Sequence, residues 1–133
     1  MPEDLIAYFV YGTLCRNQVR ESCWPTRPVA VLRGWTHGQL WDLGTFPAMV
    51  PHETLKVGGE LWLFAAKQQE RINGVLDEVE GAPRLYARRT VACETLDGQE
   101  ISATTYLYAR PERLAEQGEI VEPEEDGFCR WGR

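Results

Sequence analysis

The chain has 133 residues, one domain at roughly 150 residues per domain, and enough to bury a core without a disulfide or metal staple. Hydrophobic residues make up 44% and charged residues 26%, an ordinary globular mix that argues against wholesale disorder, and the net charge is −6. The longest apolar runs, such as 61–66, are too short to cross a bilayer.

Most of the charge imbalance sits in one place. Residues 112–126 hold seven acids and a single base, Arg113, so the rest of the chain is neutral. A neutral body with an acidic C-terminal tail (about 112–133) offers no basic stripe, which argues against nucleic acid and against an anionic membrane surface as partners. The tail itself reads as solvated chain that aids solubility. The start, Met1-Pro2-Glu3-Asp4, lacks the basic residues and apolar stretch of a signal peptide, so a cytoplasmic protein is expected. The expected unit is a single domain over 1–133.

The first periodic segment, 5–11, is a nearly continuous apolar run ending at Gly12, which predicts a central strand buried on both faces. The polar stretch Arg16, Asn17, Gln18, Arg20, Glu21 predicts a short surface helix, stopped by Pro25 and Pro28. Residues 29–43 are β-rich, with Gly34 and Gly38 marking bulges or a sharp bend. A loop follows at 44–48, and Glu60-Leu61-Trp62-Leu63-Phe64 predicts the next strand. Over 67–80, Ile72, Val75, Leu76 and Val79 recur with helical period, and Gly81 then Pro83 stop the helix. Asp97-Gly98 between two β-like segments signals a two-residue hairpin turn. A short helix is expected around 112–117. Strands and helices do not alternate as parallel crossovers need. The expected fold is therefore α+β and mostly β: a small mixed or antiparallel barrel with peripheral helices.

Two segments break the pattern of an ordinary core. At Tyr11-Gly12-Thr13-Leu14 a buried strand stops at a glycine; the turn is either purely structural or aims backbone N–H groups at an anion. On the helix, Glu80 lies four residues after Leu76 and shares its apolar face. A carboxylate placed there is costly unless it is paired or opens onto a pocket, where its pKa rises toward values suited to general acid–base work. The alternatives are a solvated helix end or an ion pair with Arg84, Arg88 or Arg89. Four cysteines (Cys15, Cys23, Cys93, Cys129) and two histidines show no closely spaced ligand pairs, so no metal site is expected. Cys15 reads as structural or as a nucleophile without a base fixed beside it in sequence.

Taken together, the segments resemble the gamma-glutamylcyclotransferase-like family, of the gamma-glutamylamine cyclotransferase type. The resemblance rests on Phe9-Val10-Tyr11-Gly12-Thr13-Leu14, Gly44-Thr45-Phe46-Pro47-Ala48-Met49-Val50 and Gly58-Gly59-Glu60-Leu61-Trp62. It continues through Leu76-Asp77-Glu78-Val79-Glu80-Gly81 with Tyr86-Ala87-Arg88, and Ala103-Thr104-Thr105-Tyr106-Leu107-Tyr108, over about residues 8–110. A fainter echo falls at Asp126-Gly127 and Trp131. After Leu14 the chain has Cys15-Arg16-Asn17 where many relatives carry a basic residue and a glycine, which leaves the choice of substrate open.

The resemblance implies a barrel with a pocket at one side, and an enzyme that releases an amine from a small gamma-glutamyl compound as 5-oxoproline forms. It implies Glu80 as the acid/base, and Tyr11, Gly12, Thr13, Leu14, Tyr86 and Tyr106 as substrate-binding residues, with no cofactor. Tyr86 and Tyr106 stand equally as core aromatics, each with one satisfied hydrogen bond. The rival expectation is a non-catalytic small-ligand-binding or interaction protein that keeps the same barrel and pocket.

Overall fold

The computed structural model describes residues 4–132. Met1, Pro2 and Glu3 of the acidic start lie outside the described residues, as does Arg133 at the end of the acidic tail. In chain order the elements begin with β1 (Leu5–Val10), β2 (Ala30–His37), β3 (Gln39–Asp42), β4 (Pro47–Val50) and β5 (Lys56–Ala65). They continue with α1 (Gln69–Glu80), β6 (Tyr86–Thr95), β7 (Glu100–Tyr108), α2 (Leu114–Gln117), β8 (Glu119–Ile120) and β9 (Phe128–Cys129).

The strands β1, β7, β6, β2 and β5 pair in that order, and β5 pairs back onto β1, closing a five-stranded barrel. Strand β1 is central, as its sequence predicts. It runs antiparallel to β5 from Leu5 opposite Ala65 to Val10 opposite Glu60, and parallel to β7 at Tyr8 opposite Thr104. Its alternate residues feed two buried clusters. Ala7 and Phe9 join Leu61, Ile101 and Ala103, while Tyr8 and Val10 join Phe64, Ile72 and Leu76 between barrel and helix. With both faces covered, the strand has no polar side to show, hence its unbroken apolar run.

Helix α1 lies against the outside of the barrel through Ile72 and Leu76, both fully buried. Gly81 ends it in the left-handed conformation (φ 65°), and the Ala82 N–H returns to the Asp77 carbonyl at 2.8 Å. Polar moorings fix its rotation. Tyr8 Oη donates to Asn73 Oδ1 at 2.6 Å, Tyr106 Oη donates to Asp77 Oδ1 at 2.6 Å, and Arg88 Nη1 pairs with Asp77 Oδ2 at 2.7 Å. Asn73, Asp77 and Glu80 follow the i, i+4, i+7 spacing of one helix face, so the groups that hold α1 also set the direction of Glu80.

Several local expectations change. The stretch 16–21 forms turns rather than a surface helix, with one 3₁₀ turn at Glu21–Cys23. Arg16 there reaches Glu60 on β5, through its backbone N–H at 2.9 Å and its Nε at 3.2 Å. Such long-range contacts set the path of the segment, not local helix propensity. Gly34 stays in the ladder opposite Gly59, and the break between β2 and β3 falls at Gly38. The 44–48 loop is shorter than expected because β4 already begins at Pro47. Asp97-Gly98 sits within a four-residue connection, 96–99, closed by the Thr95 N–H to the Gln99 carbonyl at 2.9 Å.

The acidic C-terminal segment folds back on the body rather than trailing into solvent. Strand β8 pairs with β3, and β9 pairs parallel to β5 with Cys129 opposite Val57. Cys129 is 1% exposed, and Arg130 binds Glu124 at 2.9 Å and Asp126 at 2.7 Å. Among the described residues no helix is long and apolar enough to cross a membrane.

Candidate active site

The turn 11–14 leaves β1 at the end of the barrel and is buried throughout. Gly12 is required by close approach. A Cβ there would lie 2.5 Å from Pro47 Cγ, closer than any side chain tolerates, so the backbone passes directly over the Pro47 ring. Every carbonyl of the turn's last three residues is occupied. Gly12 O accepts from the Cys15 N–H at 3.1 Å and Thr13 O from the Arg20 N–H at 2.8 Å. Leu14 O accepts from Trp24 Nε1 at 2.9 Å, and the Trp24 ring is itself stacked on Trp62 with centroids 4.7 Å apart.

The donors of the turn are used differently. The Gly12 N–H lies beside the Cys15 sulfur. The Thr13 and Leu14 N–H groups have no protein acceptor among the described residues, although Thr13 and Leu14 are only 8% and 3% exposed. Buried donors are almost always satisfied, so these two mark a place where a ligand or water supplies the acceptor.

Glu80 faces the same cavity, which has a volume of about 80 Å³. All seven residues singled out from the sequence line it: Tyr11, Gly12, Thr13, Leu14, Glu80, Tyr86 and Tyr106. The Glu80 carboxyl group has no hydrogen-bond or ion-pair partner among the described residues. The ion pairs found there join Arg16 to Glu60, Arg88 to Asp77, and Arg130 to Glu124 and Asp126. Of the three arginines considered as partners for Glu80, Arg88 is taken up by Asp77, three residues before Glu80, and neither Arg84 nor Arg89 forms an ion pair among the described residues. Burial raises the Glu80 pKa from 4.5 to about 7, and the nearby Arg20 opposes this in part.

The tyrosines bring ring surface to the cavity, while their hydroxyls hold the frame. Tyr86 Oη donates to the Pro47 carbonyl at 2.6 Å, and Tyr11 Oη donates to the Tyr106 carbonyl at 2.6 Å. The Tyr106 hydroxyl is committed to Asp77. Burial first, then Glu80 for Tyr86 and the Asp77 hydrogen bond for Tyr106, push both phenols up, so they remain neutral donors. Cys15 is a poor nucleophile here: burial, then Glu60, push its thiol well up, and its Sγ lies 3.5 Å from the Val10 carbonyl. Among the described residues no group of three or more His, Cys, Asp or Glu side chains is placed to hold a metal ion.

Sequence reading missed Arg20, Phe46 and Leu85, which line the cavity, and Pro47 as the surface against which Gly12 packs. Arg20 lay in a polar stretch with no local signal to separate it from Arg16. A contact 59 residues away turns it inward, from Arg20 Nη1 to the Val79 carbonyl at 3.3 Å.

The family model "Gamma-glutamyl cyclotransferase, AIG2-like" matches residues 8–129. The chain belongs to this family. Solved structures share the fold of the AIG2-like chain. One is an Arabidopsis thaliana protein in solution, with a TM-score of 0.66 and 23% identity, covering 99% of this chain and 80% of that one. A second is the crystal structure of an AIG2-like protein from Mus musculus, with a TM-score of 0.66 and 21% identity, covering 98% of each chain. A third is a gamma-glutamyl cyclotransferase, with a TM-score of 0.55 and 20% identity, covering 92% of this chain and 73% of that one. Comparison with curated protein sequences gives no match. Membership of the AIG2-like family supports cyclotransferase chemistry in general.

Proposed function

We propose that the protein is a cofactor-independent cyclotransferase that converts a small gamma-glutamyl amine or amide to 5-oxoproline and the free amine, with Glu80 as general acid and base. One observation carries the reading. Among the described residues, a carboxyl group with no hydrogen-bond or ion-pair partner and a pKa raised to about 7 shares a small cavity with the turn whose Thr13 and Leu14 N–H groups have no protein acceptor.

The reaction asks little else of the protein. The nucleophile is the substrate's own α-amine, which attacks the γ-carbonyl carbon to close a five-membered ring. Glu80 as carboxylate takes the proton that the α-ammonium must lose. The tetrahedral intermediate then collapses: Glu80 returns its proton to the leaving nitrogen, the bond from the carbonyl carbon to that nitrogen breaks, and the ring nitrogen gives up its second proton to the Glu80 carboxylate, from which it passes to the released amine. Holding the substrate folded supplies much of the acceleration, because ring closure is intramolecular. N–H donors aimed at the developing oxyanion supply more.

The test is an assay for 5-oxoproline with purified protein and a panel of gamma-glutamyl amines, run beside Glu80→Gln. The substitution keeps the shape of the side chain and removes its proton transfer. The expected result is turnover by the wild-type protein and a loss of about 10²–10⁴ in kcat for the variant, with the fold unchanged by circular dichroism. Binding without turnover across the panel would instead favour a non-catalytic ligand-binding protein on the same barrel. Near-full activity in Glu80→Gln would remove the assigned role.

A further inference from the structure

Two jobs in the proposed reaction need donors: holding the substrate α-carboxylate, and stabilising the oxyanion. The Thr13 and Leu14 N–H groups form one set, and both jobs compete for it. Arg20 is a second set that the mechanism above does not use. Its backbone N–H is tied to the Thr13 carbonyl at 2.8 Å, and its Nη1 reaches the Val79 carbonyl at 3.3 Å, one residue from Glu80. The side chain therefore runs from the wall formed by the turn to the wall formed by the end of α1.

We propose that Arg20 holds the α-carboxylate of the glutamyl moiety, which leaves the Thr13 and Leu14 N–H groups for the oxyanion. The cavity then reads the two charges of an α-amino acid head, the ammonium at Glu80 and the carboxylate at Arg20. This rests on the cyclotransferase reading and names how that site selects its substrate.

Three features carry the inference. Arg20 and Glu80 line one cavity and yet form no ion pair among the described residues, so neither is neutralised by the other. A guanidinium presents five N–H donors in a planar fork suited to a carboxylate, and a single Arg20 hydrogen bond from that fork goes to protein among the described residues. Arg20 and Glu80 are the two charged residues among those that line the cavity, so a head group carrying both an ammonium and a carboxylate meets one partner for each charge. A plain structural role, Arg20 capping the last carbonyls of α1, uses the same Val79 contact and is the alternative to exclude.

The experiment compares 5-oxoproline with its neutral carboxamide, 5-oxoprolinamide. Binding is measured by NMR titration to the wild-type protein, Arg20→Gln and Arg20→Lys, beside the 5-oxoproline-release assay. Neither ligand carries an ammonium, so the comparison isolates the carboxylate contact from Glu80. The wild-type protein is expected to prefer the carboxylate about 10- to 100-fold, the scale of a charge-assisted hydrogen bond. Arg20→Gln loses the preference with little change toward the carboxamide, and Arg20→Lys keeps part of it. Equal weakening toward both ligands, or a preference that survives in Arg20→Gln, overturns the clamp. The two readings fail separately. An unaltered preference in an active protein removes Arg20 and leaves the cyclotransferase. An Arg20-dependent preference in a protein that turns over no gamma-glutamyl amine keeps the clamp and removes the reaction. A wild-type protein that binds neither ligand overturns the clamp outright.

Discussion

Glu80 sets function against stability at a single carboxyl group. Its folded pKa of about 7 lies above the value of 4.5 for an exposed glutamate, because burial disfavours the charge. Between those two values the folded chain keeps a proton that the unfolded chain has released. The contribution of Glu80 to stability is therefore fullest below pH 4.5, declines as the pH rises toward 7, and stays at its low level above that. A shift of this size amounts to about 3 kcal/mol. Glu80→Gln removes the penalty. The variant is thus expected to gain about 3 kcal/mol on the wild-type protein between pH 4 and pH 8, read from urea midpoints across that range. A constant difference at every pH would mean that the carboxyl group is solvated. The same pKa sets the acid limb of kcat/KM, which is expected to fall as the pH drops below about 7 and not near 4.5. The residue was legible in the sequence because a charge four positions from Leu76 on an apolar stripe is anomalous. Arg20 was not, because an arginine in a polar run looks solvated until the distant Val79 carbonyl is brought to it.

At the scale of elements, periodic segments were readable and irregular ones were not. The strand β1 and the helix α1 follow from their own apolar patterns, and the β6–β7 hairpin was marked by Asp97-Gly98, although its connection is longer than that dipeptide implies. The path of 16–21 depends on Glu60 and on the packing around Trp24, neither of which its own sequence reveals. The joint between turn and loop is similar. Gly12 can be read as a turn residue, but only the fold shows that it lies against Pro47, whose carbonyl also takes the Tyr86 hydroxyl. Gly12→Ala tests that joint. Its methyl group must displace the Pro47 ring, which moves one cavity wall relative to the Thr13 and Leu14 donors. The expected result is a loss of about 10²-fold in kcat/KM, the effect of roughly 1 Å of misplacement, with a destabilisation of about 1–3 kcal/mol. Wild-type kinetics in a folded Gly12→Ala protein would show that the turn is not held to that tolerance.

For the whole molecule, a mostly β barrel was legible from the order of segments, whereas its closure was not. Closure depends on β5 pairing with β1, from Val10 opposite Glu60 to Leu5 opposite Ala65, and on β7 lying parallel to β1, and local pattern carries neither. The C-terminal segment is the sharper case. Its composition reads as a solvated tail, because charge density says where water is favoured and nothing about the few apolar side chains spaced between the acids. In the fold Val121, Cys129 and Trp131 pack on the cluster that contains Val57 and Leu61, and Trp131 approaches the Gly12 position. A chain ending at Gly118 therefore loses β8, β9 and the cover over one end of the barrel. Burial of one full side chain and two partial ones is worth about 2–4 kcal/mol. The truncated protein is expected to unfold at lower urea by that amount, with the barrel's circular dichroism retained in buffer. A solvated tail makes the opposite forecast: its removal leaves the midpoint where it was and changes only the net charge.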